Sequence, residues 1–156
     1  MSKTIFEEKQ RFNQWWLWLL IIGSFSFMIY KFIAKDDLIA NLPPILILIS
    51  VVVLFVLIKL KTRIDERGVH IKMFPFHIKT VTYKWEDIYS AETIKYNPLR
   101  DFGGWGIRIS SKGKAFNVRG SNGIRIVTKS GDTRMIGTQK MSEAKQVIEN
   151  FKSKIA

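Results

Sequence analysis

The sequence predicts a two-helix transmembrane hairpin followed by a mostly-β barrel or sandwich of about seven antiparallel strands, closed by a C-terminal α-helix. Three observations predict it. Residues 15–60 hold two long, nearly uncharged apolar runs; from residue 62 the apolar period shortens to two; and from Ser142 onward it lengthens to three and four.

Residues 1–14 form a basic N-terminal segment carrying Lys3, Lys9 and Arg11. "WWLWLLIIGSFSFMIY" then runs uncharged from Trp15 and continues past Lys31 to Ala34. At about 1.5 Å per residue, residues 15–34 reach across the roughly 30 Å hydrocarbon layer. Residues 35–41 leave room only for a tight loop. A second apolar run beginning "LPPILILISVVVLFVLI" predicts another span over 42–60, with Pro43 and Pro44 at its start, where a missing N–H matters least. A cleaved signal peptide fits less well, because the first run is long and tryptophan-rich and a second run follows directly.

Charge sets the expected orientation. Lys3, Lys9 and Arg11 precede the first run, and Lys59, Lys61, Arg63 and Arg67 follow the second, while the loop offers Lys31 and Lys35. That bias predicts both termini in the cytoplasm, for a two-span protein of the cell's inner membrane. Trp15, Trp16 and Trp18 read as interfacial anchors at one face and Tyr30 at the other. Neither run has an Asp, Glu or His at its centre, which argues against transport.

The chain from 61 to 156 reads as one small domain. "VHIKMF" sets Val69, Ile71 and Met73 against His70 and Lys72, and "VTYKW" puts Val81, Tyr83 and Trp85 on one face. "WGIRI", "IRIVTK" and "TRMIGT" continue the habit, with Trp105, Ile107 and Ile109 expected inward and Arg108 outward. Turn signals at Arg67-Gly68, Asn97-Pro98, Asn122-Gly123 and Ser130-Gly131-Asp132 separate the strands. "WEDIYS" predicts a short helical turn or bend. Ala144, Val147, Ile148, Phe151 and Ile155 then form one stripe of a helix over 142–155, with Ser142 as its expected N-cap.

Strands closed by one C-terminal helix, with "YNPLRDFGGWGIR" at 96–108 and "GTQ" at Gly137-Thr138-Gln139, resemble small uncharacterised bacterial membrane proteins. Those proteins have two N-terminal transmembrane helices and a bacterial PH-like domain. The resemblance covers nearly the whole chain and implies architecture, not mechanism. The lysine-and-arginine signature of phosphoinositide-binding PH domains is only loosely echoed by Lys61, Arg63 and Arg67.

Residues 96–108 admit two readings. In the structural one, Pro98 fixes a turn, Gly103 and Gly104 permit a bulge or positive φ, Gly106 leaves space beside the strand, and Trp105 joins the core. In the functional one, Tyr96, Arg100, Phe102 and Arg108 border an interaction rim. "DFG" at 101–103 matches the letters of a kinase motif, but the loops that motif works with are missing.

The formal net charge is +12, and from residue 61 onward 19 Lys and Arg face 9 Asp and Glu. This excess suggests an anionic partner or a domain lying against the cytoplasmic leaflet. Arg63, Arg67, Arg119 and Arg125 are the expected anionic-lipid contacts. A membrane-associated protein partner or a second copy of the chain is the other expected occupant, through an open sheet edge. Nucleic acid is not favoured, for want of a recognition helix or aromatic ladder. There is no cysteine, and the two histidines, His70 and His77, lack metal-ligand spacing. No catalytic constellation, cofactor motif or metal site is expected.

Overall fold

The computed structural model of the chain describes residues 6–35 and 38–155, with side chains for 6–34 and 42–155. Among these, the chain divides into two compact units: one is the segment Phe12–Ile58, and the other joins the strand before it to everything from Lys59 onward.

The first unit is helical. Helix α1 (Trp15–Lys35) is followed by α2 (Leu38–Leu57). The Trp15–Ala34 stretch is long and apolar enough to cross a membrane, with mean hydropathy 1.9, while the apolar stretch Leu42–Leu57 of α2 is shorter. Helix α2 begins upstream of Pro43 and Pro44, so both prolines lie inside it rather than at its first turn, and it ends before Lys59 rather than at 60. Phe12 and Phe55 bring their ring centroids to 4.9 Å. Trp15 and Tyr30 are exposed, and Trp18 donates its indole N–H to Asn13 Oδ1 at 3.3 Å.

Among the described residues the second unit holds nine strands in two sheets, against about seven expected, and neither sheet closes into a barrel. The first sheet has the order β1 (Phe6–Arg11), β2 (Lys59–Asp65), β3 (Gly68–Phe74), β4 (Val81–Lys84), all antiparallel. The second has β5 (Ile88–Lys95), β6 (Gly106–Ser110), β7 (Gly113–Asn117), β8 (Asn122–Thr128) and β9 (Thr133–Gly137) in the order β5-β8-β9-β7-β6. Its β7–β9 pair is parallel, so the sheet is mixed. A 3₁₀ turn at Trp85–Asp87 links the two sheets, where a helical turn was expected.

The segment ahead of α1 is therefore not a free tail. β1 pairs with β2 along its whole length, from Phe6↔Ile64 to Arg11↔Lys59. The domain expected over 61–156 is thus incomplete without it. Phe6 points into the core as the pattern requires, but the other two inward positions of β1 are Glu8 and Gln10. Each has a partner at or just beyond the end of β9. Glu8 accepts from Thr138 Oγ1 at 2.6 Å and from Gln139 N at 2.8 Å, and Gln10 donates its amide to the Gly137 carbonyl at 2.7 Å. The "GTQ" run is the socket that holds the N-terminal strand.

The core draws on both sheets: Leu60, Ile64, Val69, Ile71 and Met73 from the first, and Ile88, Phe116, Ile124, Ile126 and Ile136 from the second, all nearly inaccessible. Helix α4 (Met141–Asn150) covers β5, β8 and β1 with Ala144, Val147, Ile148 and the following Phe151. It starts one residue before Ser142, which caps nothing, because the Thr138 hydroxyl already accepts from Lys140 N. It stops before 155, where Phe151 leaves helical geometry to stack on Trp85 at 5.3 Å.

Candidate functional site: a basic sheet face

Residues 96–108 resolve into a one-turn helix, α3 (Pro98–Phe102), and the strand after it. Asn97 caps the turn by accepting from Leu99 N and Arg100 N, Asp101 accepts from Asn97 N in return, and Pro98 sits at the first position. Gly103 ends the turn with φ 72°, a left-handed cap that suits glycine. Two of the four expected rim residues are core residues instead. Tyr96 and Phe102 are buried with Ala115 and Met135, ring edge to ring face at 5.9 Å. The fully buried Asn117 donates to the Tyr96 hydroxyl at 2.6 Å and accepts from Gly106 N at 3.0 Å. Burial pushes the Tyr96 phenol up, while the Asn117 hydrogen bond works against that. Arg100 and Arg108 remain exposed, and Arg108 is turned back onto the Trp105 carbonyl.

The expected inward row on β6 is also corrected. Trp105 and Ile107 are half-buried, but Ile109 is 79% exposed. β6 is an edge strand, and the core beside it is already filled by Phe102 and Tyr96 from the preceding turn.

The four expected lipid-contact arginines do not form one set. Arg125 pairs with Glu92 on the neighbouring strand β5, and Arg119 lies in the turn after β7. A cleft of about 470 Å³ over Tyr96 and Phe102 is bordered by Lys95, by Lys112, which is paired with Asp101, and by Arg125, which is paired with Glu92.

Arg63 and Arg67 belong to a different surface, the outer face of the first sheet. A cleft of about 490 Å³ there is bordered by Lys61, Arg63, Arg67, His70 and Lys72, with Glu7 at one side. Strand alternation explains the gathering. While Leu60, Thr62 and Ile64 of β2 and Val69, Ile71 and Met73 of β3 point inward, the residues between them point out. On β1 the outward residues are Glu7, Lys9 and Arg11. Register then stacks like charges: Lys9 pairs with Lys61, Lys61 with Lys72, and Arg11 with Lys59. Like charges directly opposite across strands destabilise a sheet by a few tenths to about 1 kcal/mol per pair. Three such pairs leave the face with a net positive field, only partly offset by Glu7 beside Lys9 and by Asp65 beside Arg63. Sequence reading set Lys61 beside Arg63 and Arg67 but did not join Lys9 and Lys72 to them, because the register was not available from the sequence.

Asp65 organises the far end of this face. Its side chain is buried and receives His70 Nε2 and Arg67 N, both at 2.9 Å, and the Arg63 guanidinium at 3.2 Å. Burial by itself would raise the carboxyl. The hydrogen bonds from His70 and Arg67 N, and the charges of His70 and Arg63, outweigh it and hold the group below its ordinary value. The other nitrogen of His70 meets the Thr82 hydroxyl at 2.8 Å. Hydroxyl, imidazole and carboxylate thus line up across three strands, and both His70 ring nitrogens are held. Trp85 completes the support by donating its indole N–H to the Asp65 carbonyl at 2.9 Å.

Such a face can hold anions through several convergent cations on a rigid sheet, while the described side chains include no group of three His, Asp or Glu suited to a metal. Compared with known proteins, the chain matches no family model, no curated protein and no solved structure.

Proposed function

We propose that this chain is a membrane-anchored binding module, not an enzyme, whose basic sheet face rests on an anionic lipid surface. The observation that carries the reading is the stack of like charges at Lys9, Lys61 and Lys72, with Arg11 opposite Lys59 one row away. A face built with that repulsion is relieved by anions, and each Lys or Arg close to an anionic leaflet contributes about 1 kcal/mol.

The same reading includes two membrane spans. Arg11 and Lys59 are ladder partners, so the chain leaves the domain for the helices and returns to it at one place. A single crossing would strand β1 and β2 on opposite sides of the bilayer; α1 out and α2 back keeps them together. Both ends of the chain then share one side, which the flanking Lys and Arg assign to the cytoplasm at the inner membrane. The PH-like likeness belongs to this proposal as well, its support being the succession of mostly antiparallel strands followed by α4.

A protein partner or a second copy of the chain is the alternative occupant, favoured by β6 at the end of its sheet with Ile109 79% exposed. The two readings separate in one experiment. The full-length chain is placed in nanodiscs of neutral lipid or of neutral lipid with an anionic fraction, and thermal unfolding is followed at low and high salt. Lipid recognition predicts a higher midpoint with anionic lipid that salt removes. It also predicts that Lys9→Gln/Lys61→Gln/Lys72→Gln loses this increment while being no less stable in neutral lipid. Equal midpoints in both lipids would refute it.

A further inference from the structure

The loop between β3 and β4 presents an apolar surface that the core does not explain. Phe74, Phe76 and Ile78 are 42%, 53% and 81% exposed, whereas the intervening Pro75 and His77 are half-buried. The alternation is held in place. His77 N donates to the Met73 carbonyl at 2.7 Å, and the His77 ring packs on Phe116 at 5.3 Å. With His77 turned inward as the anchor, its two apolar neighbours are fixed outward. Three large apolar side chains on five consecutive residues form a patch of the kind that marks an interaction site.

Its place in the ladder identifies what it meets. Phe74 pairs with Lys59, the end residue of β2 on that side. Lys59 lies two residues after Leu57, the last residue of α2. Two residues of chain span at most about 7 Å, and ladder partners are about 5 Å apart, so Phe74 stays within about 12 Å of the end of α2 at any angle between domain and helices. If α2 ends at a membrane surface, Phe74 is at that surface. Lys59, Lys72 and Lys79 flank the patch, giving the arrangement of apolar residues ringed by cations that suits the boundary between headgroups and acyl chains.

We infer that the loop Phe74–Ile78 inserts its Phe74, Phe76 and Ile78 side chains into the headgroup–acyl boundary of the bilayer, fixing the domain against the membrane. This rests on the proposal that α1 and α2 span the bilayer, but it does not need the anionic charge of the lipid. Insertion would leave the basic face little freedom to tilt away.

The chain has no cysteine, so a single introduced thiol reports one place. Phe76→Cys and Ile78→Cys change exposed side chains and keep the His77 anchor; Glu66→Cys, in the β2–β3 turn, is the control. Each full-length variant carries a polarity-sensitive fluorophore in neutral-lipid nanodiscs at high salt. The expected result at 76 and 78 is blue-shifted emission, quenching by lipids labelled near the headgroup and protection from aqueous iodide, with the reverse at 66. Water-like emission at 76 and 78, quenched by iodide as at 66, would overturn the inference. So would an apolar environment without lipid quenching, which would assign the patch to a protein contact. Failure of the underlying proposal has a different signature: the chain would not float with lipid vesicles, whatever the fluorophore reads.

Discussion

Replacing Glu8 by Ala tests whether the strand ahead of the helices is a structural part of the domain. Glu8 is 5% exposed, and its two carboxylate oxygens take the Thr138 hydroxyl and the Gln139 N–H. Truncation leaves both donors without the carboxylate. Thr138 is fully buried, so its hydroxyl incurs the full desolvation penalty of about 1–3 kcal/mol; the Gln139 amide, on an exposed residue, recovers part of its loss from water. Together the loss should be about 3 kcal/mol, a large share of the 5–15 kcal/mol typical of a domain. Glu7→Ala is the matched control, since Glu7 is exposed and lies 3.9 Å from Lys9, a contact of little net value. The assay is amide hydrogen exchange of β2 in the full-length chain in detergent. Glu8→Ala should lower the protection of Leu60 to Ile64 by roughly two orders of magnitude, as about 3 kcal/mol implies, and Glu7→Ala should leave it nearly unchanged. Equal protection in the two variants would refute the role given to the Glu8 clamp.

Three further outcomes follow from the packing. Tyr96→Phe leaves the Asn117 amide, buried and 2.6 Å from the lost hydroxyl, without its acceptor, so thermal or denaturant unfolding should show a loss of about 1–2 kcal/mol. Gly68→Ala drives a methyl group into the Tyr83 carbonyl at a backbone φ of 152°, and should weaken the β3–β4 pairing, read as faster exchange of β4 amides. Asp65 has a folded-state pKa below its ordinary value of 3.8, so its contribution is complete above about pH 4 and fades as pH falls below that. The stability difference between the wild type and Asp65→Asn should therefore shrink as pH falls below about 4. A difference that went on growing below about pH 4 would contradict the depressed pKa.

Much of the fold was legible because period and burial agreed. The alternation of Val69, Ile71 and Met73, the stripe Ala144, Val147, Ile148 and Phe151, and the apolar run from Trp15 all point where their spacing says. β1 was not legible, since its inward positions after Phe6 are Glu8 and Gln10, polar groups that hydrogen-bond to "GTQ" more than a hundred residues away. β6 was misread at Ile109, while Arg108 faces out as expected, because an edge strand need not bury its whole apolar row. Strand order in the second sheet, with β9 between β8 and the parallel β7, depends on non-local pairing that local pattern does not encode. The same holds for the basic face: Lys9, Lys61 and Lys72 are scattered in sequence and meet only through register.

The apolar loop illustrates a further limit. Phe74, Phe76 and Ile78 continue an apolar run that looks like core, and only the inward turn of His77 reveals that they face out. Burial lowers the His77 pKa, with the Lys114 charge adding to it. Its neutral form thus belongs to the folded loop, and its stabilising contribution declines as pH falls below about 6.5.

The most direct test of the membrane arrangement is the sidedness of three single cysteines in the cysteine-free full-length chain: Glu7→Cys on β1, Asp36→Cys between the helices and Glu66→Cys in the domain. Right-side-out and inverted membrane vesicles would be treated with a membrane-impermeant maleimide. A two-span hairpin with a domain assembled from both of its ends predicts that positions 7 and 66 label in inverted vesicles only, and position 36 in right-side-out vesicles only. Labelling of all three from the same side would contradict it.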